Sequence, residues 1–350
     1  MKYLLRGLDD LVENYNSYIN EVLNPESSKI LCMGTGFEDI CNYQCIYCYA
    51  GDVAKKDRCQ LMDFETYDKL FKEANECGCN TIILTGASSQ AEPLLSSKVV
   101  KAVETLHNYD IVPVIFSNLS VIGDDKLCEK IHGMTGSELA KHLFEYGVSF
   151  IASIDSLDEA DYEKIVGRKD SFKNLNIALE RMQEAGFFEP CKVVDDKVYT
   201  RVCISAVVMR NNYDSLEEMR DFWHSKNCQF VCKLPSIMGN VLKNEEEFYT
   251  PDEAETVRGK VEECRDKSQT LSLIVDGNKY CLMNQLGIAI DSRGVPLTCL
   301  SGKYAFEDEP DYNVKNVKLS EIVIRKKNKF SMEAGACPKK VKFYKEIAKV

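Results

Sequence analysis

Between residues 81 and 234 the sequence keeps repeating one unit, a short β-branched or apolar run followed by a helical stretch, and this alternation restricts the chain to an α/β architecture. Runs at 81–85, 112–116, 149–154, 199–209 and 229–234 read as strands, and 95–108, 136–146 and 171–186 as helices. Asp63 has the position of an N-cap for a helix carrying Phe64, Tyr67, Phe71 and Ala74 on one side, with Gly78 closing it. Ser215 and Glu218 have the spacing of a capping box for a helix reaching about residue 226. Strands alternating with helices imply a parallel sheet covered by helices. About six such units, between residues 30 and 240, suggest an open or partial barrel with its chemistry at the C-terminal ends of the strands. Residues 1–27 read as a helical extension, 28–245 as the barrel, and 246–350 as a linker helix, from Pro251 onward, and a small α+β domain.

Cys41-Asn42-Tyr43-Gln44-Cys45-Ile46-Tyr47-Cys48 lies ahead of the alternating region. Its C-x3-C-x2-C spacing lets one short loop wrap three thiolates around a metal centre but not four. Iron–sulfur clusters usually take four cysteines, so a cluster held by three keeps one iron open, as catalytic metal sites keep an open position. Zinc sites more often use two separated Cys pairs, and three buried cysteines packed as small hydrophobes are the plainer alternative. The motif, with an aromatic before its last Cys, resembles the signature of radical SAM enzymes. That resemblance implies a [4Fe–4S] cluster on Cys41, Cys45 and Cys48 whose open iron is chelated by S-adenosylmethionine. It also implies reductive cleavage of that cofactor to a 5'-deoxyadenosyl radical. The resemblance implies the family's α/β fold, a partial (β/α)6 TIM-like barrel, which agrees with the strand–helix pattern.

The same resemblance assigns cofactor contacts to residues at strand ends. Thr85-Gly86 follows the second strand and Glu92-Pro93 comes shortly after, where the family has Gly-Gly-Glu-Pro binding the methionyl amino group. The paired glycines are missing here, and Gly86 stands six residues before Glu92, so Glu92 is either that ligand or the cap of the following helix. Asn118 and Ser153 are assigned to the cofactor by resemblance, with local turn capping as the alternative. Arg168 lies in a stretch similar to the Arg-Gly region of relatives; its guanidinium suits a carboxylate or a surface ion pair. Tyr47 by analogy lies beside the adenine. Met238 either packs near the adenine or belongs to the core.

Cys281, Gly294 and Cys299 form a C-x12-G-x4-C pattern, with 286–290 and 295–300 reading as a hairpin and Cys337 following. The pattern resembles the opening of SPASM and twitch auxiliary-cluster domains. It implies one auxiliary [4Fe–4S] cluster on Cys281, Cys299 and Cys337, with Cys264, Cys232, an oxygen ligand, water or the substrate in fourth place. The other expectation is that these thiols pack in a small β core.

Sixteen cysteines, with no apolar signal segment after Met1-Lys2-Tyr3, suggest metal ligation in a reducing, cytoplasmic setting rather than disulfides. Cys77, Cys79, Cys128, Cys203 and Cys228 read as ordinary reduced thiols. The net charge of −11 argues against an extended nucleic-acid surface, and no run reaches membrane-spanning length. The expected activity is hydrogen abstraction from a C–H bond, leading to oxidative modification of a small molecule such as a sugar or nucleotide. The reducing partner would be a flavodoxin or ferredoxin. About forty residues precede the cluster loop, fewer than the precursor-binding domain of peptide-modifying relatives, so maturation of a ribosomal peptide stands second. A non-catalytic iron–sulfur electron carrier is the reading from another class. No substrate acid or base can be named from sequence.

Overall fold

The β-branched runs become strands buried on both faces, as a parallel sheet requires. In β7 (Val202–Val207) all six residues are buried. A computed structural model describes residues 24–51, 60–86, 91–194, 197–237, 239–266, 272–275, 278–281, 285–297, 306, 309 and 311–329, with backbone only at 192, 194, 197, 251, 272–275 and 278–281. The main sheet contains β1 (Cys32–Thr35), β2 (Thr81–Leu84), β3 (Val112–Ser117), β4 (Ser149–Ser153), β7 and β8 (Gln229–Lys233), joined side by side in that order and all parallel. These are the six strands of the expected partial barrel. The sheet does not close. On its β1 edge it continues into β11 (Gly287–Ile290), parallel to β1, and β12 (Pro296–Leu297), antiparallel to β11. The predicted C-terminal hairpin thus forms, and its first strand lies on the edge of the main sheet.

Helices fill the crossovers. After β1 comes α1 (Phe64–Glu76), and after β2, α2 (Lys98–Asn108). After β3 come α3 (Ser120–Gly123), α4 (Asp125–His132) and α5 (Gly136–Glu145), and after β4, α6 (Glu159–Val166) and α7 (Ser171–Glu184). After β7 comes α8 (Leu216–Ser225), and after β8, α9 (Pro251–Cys264); α10 (Leu319–Lys329) packs on α1. A small antiparallel hairpin, β5 (Lys192–Val194) with β6 (Lys197–Tyr199), precedes β7 and takes the start of the predicted long strand. β9 (Ser272–Val275) and β10 (Asn278–Cys281) form a second one. The predicted helix over residues 1–24 lies outside the described residues except at its last position.

The local signals behave as their chemistry requires. Asp63 accepts from Thr66 N–H at 2.9 Å, and Gly78, at φ +79°, lets Cys79 N–H reach Ala74 C=O at 2.9 Å, the geometry of a Schellman cap. Ser215 departs from its expected role. Its ψ of 1° is not the extended backbone of a capping residue, and its hydroxyl donates instead to Asn212 C=O, so no capping box forms. The box appears one helix later, between Thr250 and Glu253 at the start of α9.

Because side chains alternate across a strand, the register separates two faces. Ile82, Ile115, Phe150, Ala152, Ile204 and Phe230 face outward into the large helix-covered core. Val112, Val114 and Cys203, with Ile83, Ile151 and Val231 against them, form a separate apolar cluster on the inner face. That cluster reaches from β2 to β8, so the sheet curves around a lumen.

Candidate functional site

The three-thiol loop leaves the C-terminal end of β1 and is tied down on several sides. Its backbone binds the end of α6, with Gln44 N–H on Val166 C=O and Ile46 N–H on Ile165 C=O, both at 3.0 Å. Gly167, left-handed at φ +65°, ends that helix against Gln44 C=O, where a Cβ would come within 3.1 Å. Arg168 follows, and its guanidinium donates to Asn42 C=O at 3.1 Å. The expected alternatives for Arg168 were a carboxylate or an ion pair; in the structure it steadies the loop through a backbone carbonyl.

The end of β3 supplies a second anchor. Asn118 Nδ2 donates to Asn42 Oδ1 at 3.2 Å and approaches Cys41 Sγ at 3.9 Å, while Asn42 Nδ2 donates to Ser120 Oγ at 2.8 Å. Asn118 Oδ1 in turn accepts from the Ser120 backbone and hydroxyl. The next residue, Leu119, is held at φ +62°. A non-glycine side chain there costs on the order of 1–3 kcal/mol, and such residues cluster at functional sites.

Glu92 is buried at the centre of this end of the sheet. Its carboxylate accepts from Ser117 Oγ (2.7 Å), Asn118 N–H (2.7 Å) and Leu94 N–H (3.2 Å). Its capping falls on the short 3₁₀ turn Pro93–Leu95 and not on the helix that was expected to take it, since α2 starts only at Lys98 with Ser97 at its N-cap position. The same carboxylate ties β3 to the segment after β2. Burial pushes its pKa up to about 7, against the pull of those three donors. Gly86 is buried two residues beyond β2, and Ser153 is half-buried at the end of β4.

A third anchor comes from the segment after β8, and nothing in the sequence pattern singled it out. Asn240 donates from its backbone to Cys48 C=O and from Nδ2 to Cys45 C=O, both at 2.9 Å. Gly239, at φ +63°, packs so closely that a Cβ would lie 2.5 Å from both Cys48 C=O and Tyr49 C=O. Gly239→Ala is therefore expected to destabilise the protein by more than ~1 kcal/mol. It is also expected to lower the iron retained after reconstitution, read by thermal melting and iron analysis. Met238, beside it, lies outside the described residues.

Tyr47 points its hydroxyl at the Asp155 carboxyl. Asp155 is fully buried, accepts from Val207 N–H at 2.7 Å, and has its backbone carbonyl bound by Asn212 Nδ2. Burial raises its pKa to about 6; the Val207 N–H, the Tyr47 hydroxyl and the Lys233 ammonium oppose that rise. Asn42, Asp155, Gly239 and Asn240 were all missed as site residues. Only the glycine carried a signal, a conformational one, and it does not become visible until the chain folds back on the loop.

Each of the three thiols is half-buried. Burial pushes Cys41 up to about 12, with the Glu92 carboxylate adding to it; Cys45 is held well above the ordinary thiol range and Cys48 is raised as well, again chiefly by burial. Neutral thiols are what a metal-free loop of this kind holds, and coordination to iron removes the proton outright. Backbone N–H groups of Tyr43 and Ala50 already point at the sulfurs of Cys41 and Cys48. Among the described residues no three His, Cys, Asp or Glu side chains are grouped to hold a single metal ion. The donor set fits a cluster instead, whose thiolates each bind a separate iron.

At the other end of the chain, Cys281 ends β10 with only its backbone described, and Cys299 and Cys337 lie outside the described residues. Cys232 and Cys264, considered above as a fourth ligand, are buried in the outer core, where Cys232 Sγ donates to Val261 C=O at 3.3 Å. They pack as small hydrophobes.

Comparison with known proteins bears on this constellation. The family model described as "Radical SAM superfamily" matches residues 37–222. The GTP 3',8-cyclase of Saccharophagus degradans is 28% identical over 224 residues, 61% of this chain and 57% of that protein. The GTP 3',8-cyclase of Pseudomonas syringae pv. syringae is 25% identical over 219 residues, with the same shares. The chain thus spans little more than half the length of these relatives. Among solved structures, Streptococcus suis SuiB bound to precursor peptide SuiA has a TM-score of 0.58 at 13% identity, covering 93% of this chain and 71% of that one. Native anSMEcpe with bound AdoMet has a TM-score of 0.56 at 13% identity, covering 89% and 82%. At these identities the structures share a fold.

Proposed function

The chain belongs to the radical SAM superfamily, and on that premise we propose that it is an enzyme abstracting hydrogen from a C–H bond of a small molecule of the nucleotide or sugar class. The observation that carries this reading is the loop of three thiols anchored by Asn118, Arg168 and Asn240 at the C-terminal mouth of the sheet. A [4Fe–4S] cluster held there with S-adenosylmethionine would supply one-electron reductive chemistry for hydrogen abstraction.

In this reading Cys41, Cys45 and Cys48 hold the cluster. Glu92 accepts from the methionyl ammonium, with Gly86 lending close backbone approach. Asn118 and Ser153 bind the cofactor's hydroxyl or carboxylate groups, and Tyr47 borders the adenine. Arg168 holds the loop, and Met238 packs against the cofactor. A flavodoxin or ferredoxin delivers the electron.

The same reading takes Cys281, Cys299 and Cys337 as ligands of an auxiliary cluster in a twitch-type C-terminal unit. Iron analysis of reconstituted protein is then expected to give about eight irons per chain; about four would remove the second cluster.

The sequence relatives named for nucleotide cyclisation support the nucleotide class. Ribosomal peptide maturation, by cross-link or epimerisation, is the second reading, drawing on the fold shared with peptide-bound SuiB. At that identity the sharing speaks for fold. The deciding measurement is deuterium transfer into 5'-deoxyadenosine from labelled candidate substrates under anaerobic reduction. Transfer from a ribose- or sugar-deuterated compound is expected. Transfer only from a peptide would overturn the small-molecule reading, and no 5'-deoxyadenosine at all would leave an electron carrier.

A further inference from the structure

The thiol loop is fixed on both sides of Tyr47. Ile46 N–H binds Ile165 C=O at 3.0 Å, Cys48 N–H binds Cys45 C=O at 3.1 Å, and Asn240 holds the carbonyls of Cys45 and Cys48. With its backbone held in this way, the half-buried Tyr47 carries its hydroxyl within hydrogen-bonding reach of two acceptors, Cys45 Sγ and the Asp155 carboxyl. A phenol has one proton to donate, so the sulfur and the carboxyl compete for it.

Asp155 is placed by contacts outside the loop. It stands two residues beyond β4, where Ile154 N–H still binds Ser205 C=O of β7 at 3.2 Å. Asp155 Oδ1 accepts from Val207 N–H at 2.7 Å, and its backbone carbonyl accepts from Asn212 Nδ2 at 2.8 Å. Asn212 Nδ2 also donates to Val207 C=O at 2.9 Å, while its Oδ1 accepts from Met209 N–H at 2.8 Å. Both side chains are buried, so two strand ends and one asparagine hold the carboxyl in place. Oδ1 thus has a fixed donor, whereas Oδ2 is buried without one. The Tyr47 hydroxyl is the side-chain donor directed at this carboxyl, and the Lys233 ammonium attracts it electrostatically. A buried oxygen lacking a donor is costly, which favours a hydroxyl turned toward Asp155.

We propose that Asp155 is a positioning residue for the loop cluster: by drawing the Tyr47 hydroxyl away from Cys45 Sγ, it weakens the hydrogen bond to that sulfur and holds the cluster at a lower reduction potential. This rests on the reading of Cys41, Cys45 and Cys48 as cluster ligands. Reduction adds one electron, taken from the external reductant, and no bond or proton changes hands at the protein. A donor on a ligating sulfur stabilises the added negative charge, so a stronger Tyr47–Cys45 hydrogen bond makes reduction easier. A low potential suits a site that passes its electron on to a bound cofactor.

The test is a double-variant cycle on the reconstituted protein. The midpoint potential of the loop cluster is read by electron paramagnetic resonance during a reductive titration without cofactor; that cluster is the one whose signal changes when S-adenosylmethionine is then added. Asp155→Asn keeps the size of the side chain and an oxygen for Val207 N–H, but offers the hydroxyl a weaker acceptor. It is expected to raise the reduced-to-oxidised ratio at a fixed potential about three- to tenfold, the range of one hydrogen bond. Tyr47→Phe alone is expected to leave that ratio within about twofold, and to reduce the effect of Asp155→Asn to less than about twofold. An equal shift from Asp155→Asn with and without the hydroxyl, or no shift in either background, would overturn the proposal. Tyr47→Phe decides even where Asp155→Asn fails to fold. A fall of more than about threefold in its ratio would show that the hydroxyl already serves the sulfur, and would overturn the proposal as well. Wild-type protein that holds no iron on the loop would instead overturn the preceding reading.

Discussion

Replacing any one of Cys41, Cys45 and Cys48 by alanine is expected to reduce 5'-deoxyadenosine formation to the background of the chemical reductant alone. The loop offers three thiols within eight residues, and a cluster usually takes four ligands, the fourth iron being left for the cofactor. Removing one thiol leaves two, and the surrounding anchors cannot substitute. Asn118, Arg168 and Asn240 offer the loop amide and guanidinium donors, whereas an iron needs an electron-pair donor. The measurement pairs product analysis with iron and sulfide content per chain. A control in Cys128, buried in the helix layer on the outside of the sheet, is expected to keep its cluster and its activity and to lose only stability. Full activity in any of the three loop variants would sink the assignment.

The second large effect is centred on Glu92. Its carboxyl is buried and carries three donors, so Glu92→Ala leaves Ser117 Oγ, Asn118 N–H and Leu94 N–H without their acceptor and is expected to cost about 2–4 kcal/mol. The pH dependence follows from the raised pKa. Between the ordinary value of 4.5 and the folded value of about 7, the folded protein holds a proton that the unfolded chain has released. Stability therefore falls as pH rises through that window, by an amount on the order of 1–3 kcal/mol. Asp155, raised to about 6, adds a decline of the same sign over the lower part of the window. For the metal-free protein the melting temperature is expected to drop from about pH 5 to pH 7, and Glu92→Gln is expected to flatten most of that drop. An unchanged slope in Glu92→Gln would show that this carboxyl is not the titrating group. Glu92→Gln is also expected to raise the KM for S-adenosylmethionine about 10-fold, as loss of a charged hydrogen-bond partner does.

Both effects concern residues that could be picked out before the fold was known, and they differ in how much of their role could be read. The three thiols and their spacing were legible, because residue type and spacing within one short loop are local properties. Glu92 was legible as two alternatives. In the structure the carboxylate caps the turn Pro93–Leu95 instead of the following helix, and it adds a tie to β3. Arg168 was found through the right stretch of sequence, but its partner, Asn42 C=O, lies 126 residues away. The capping box read at Ser215 failed because the backbone at that residue is turned, which side-chain identities alone do not report.

The sequence by itself determined the alternation of strand and helix and five of the six parallel strands, because hydrophobic period and cap chemistry act over a few residues; β1 and the helices Asp125–His132 and Glu159–Val166 emerged only in the fold. It determined the three thiols for the same reason. Only the tertiary structure decided what holds that loop in place. Asn240 and Gly239 come from the end of β8 and Asn118 from the end of β3. Each acts through contacts whose partners are far apart in the chain.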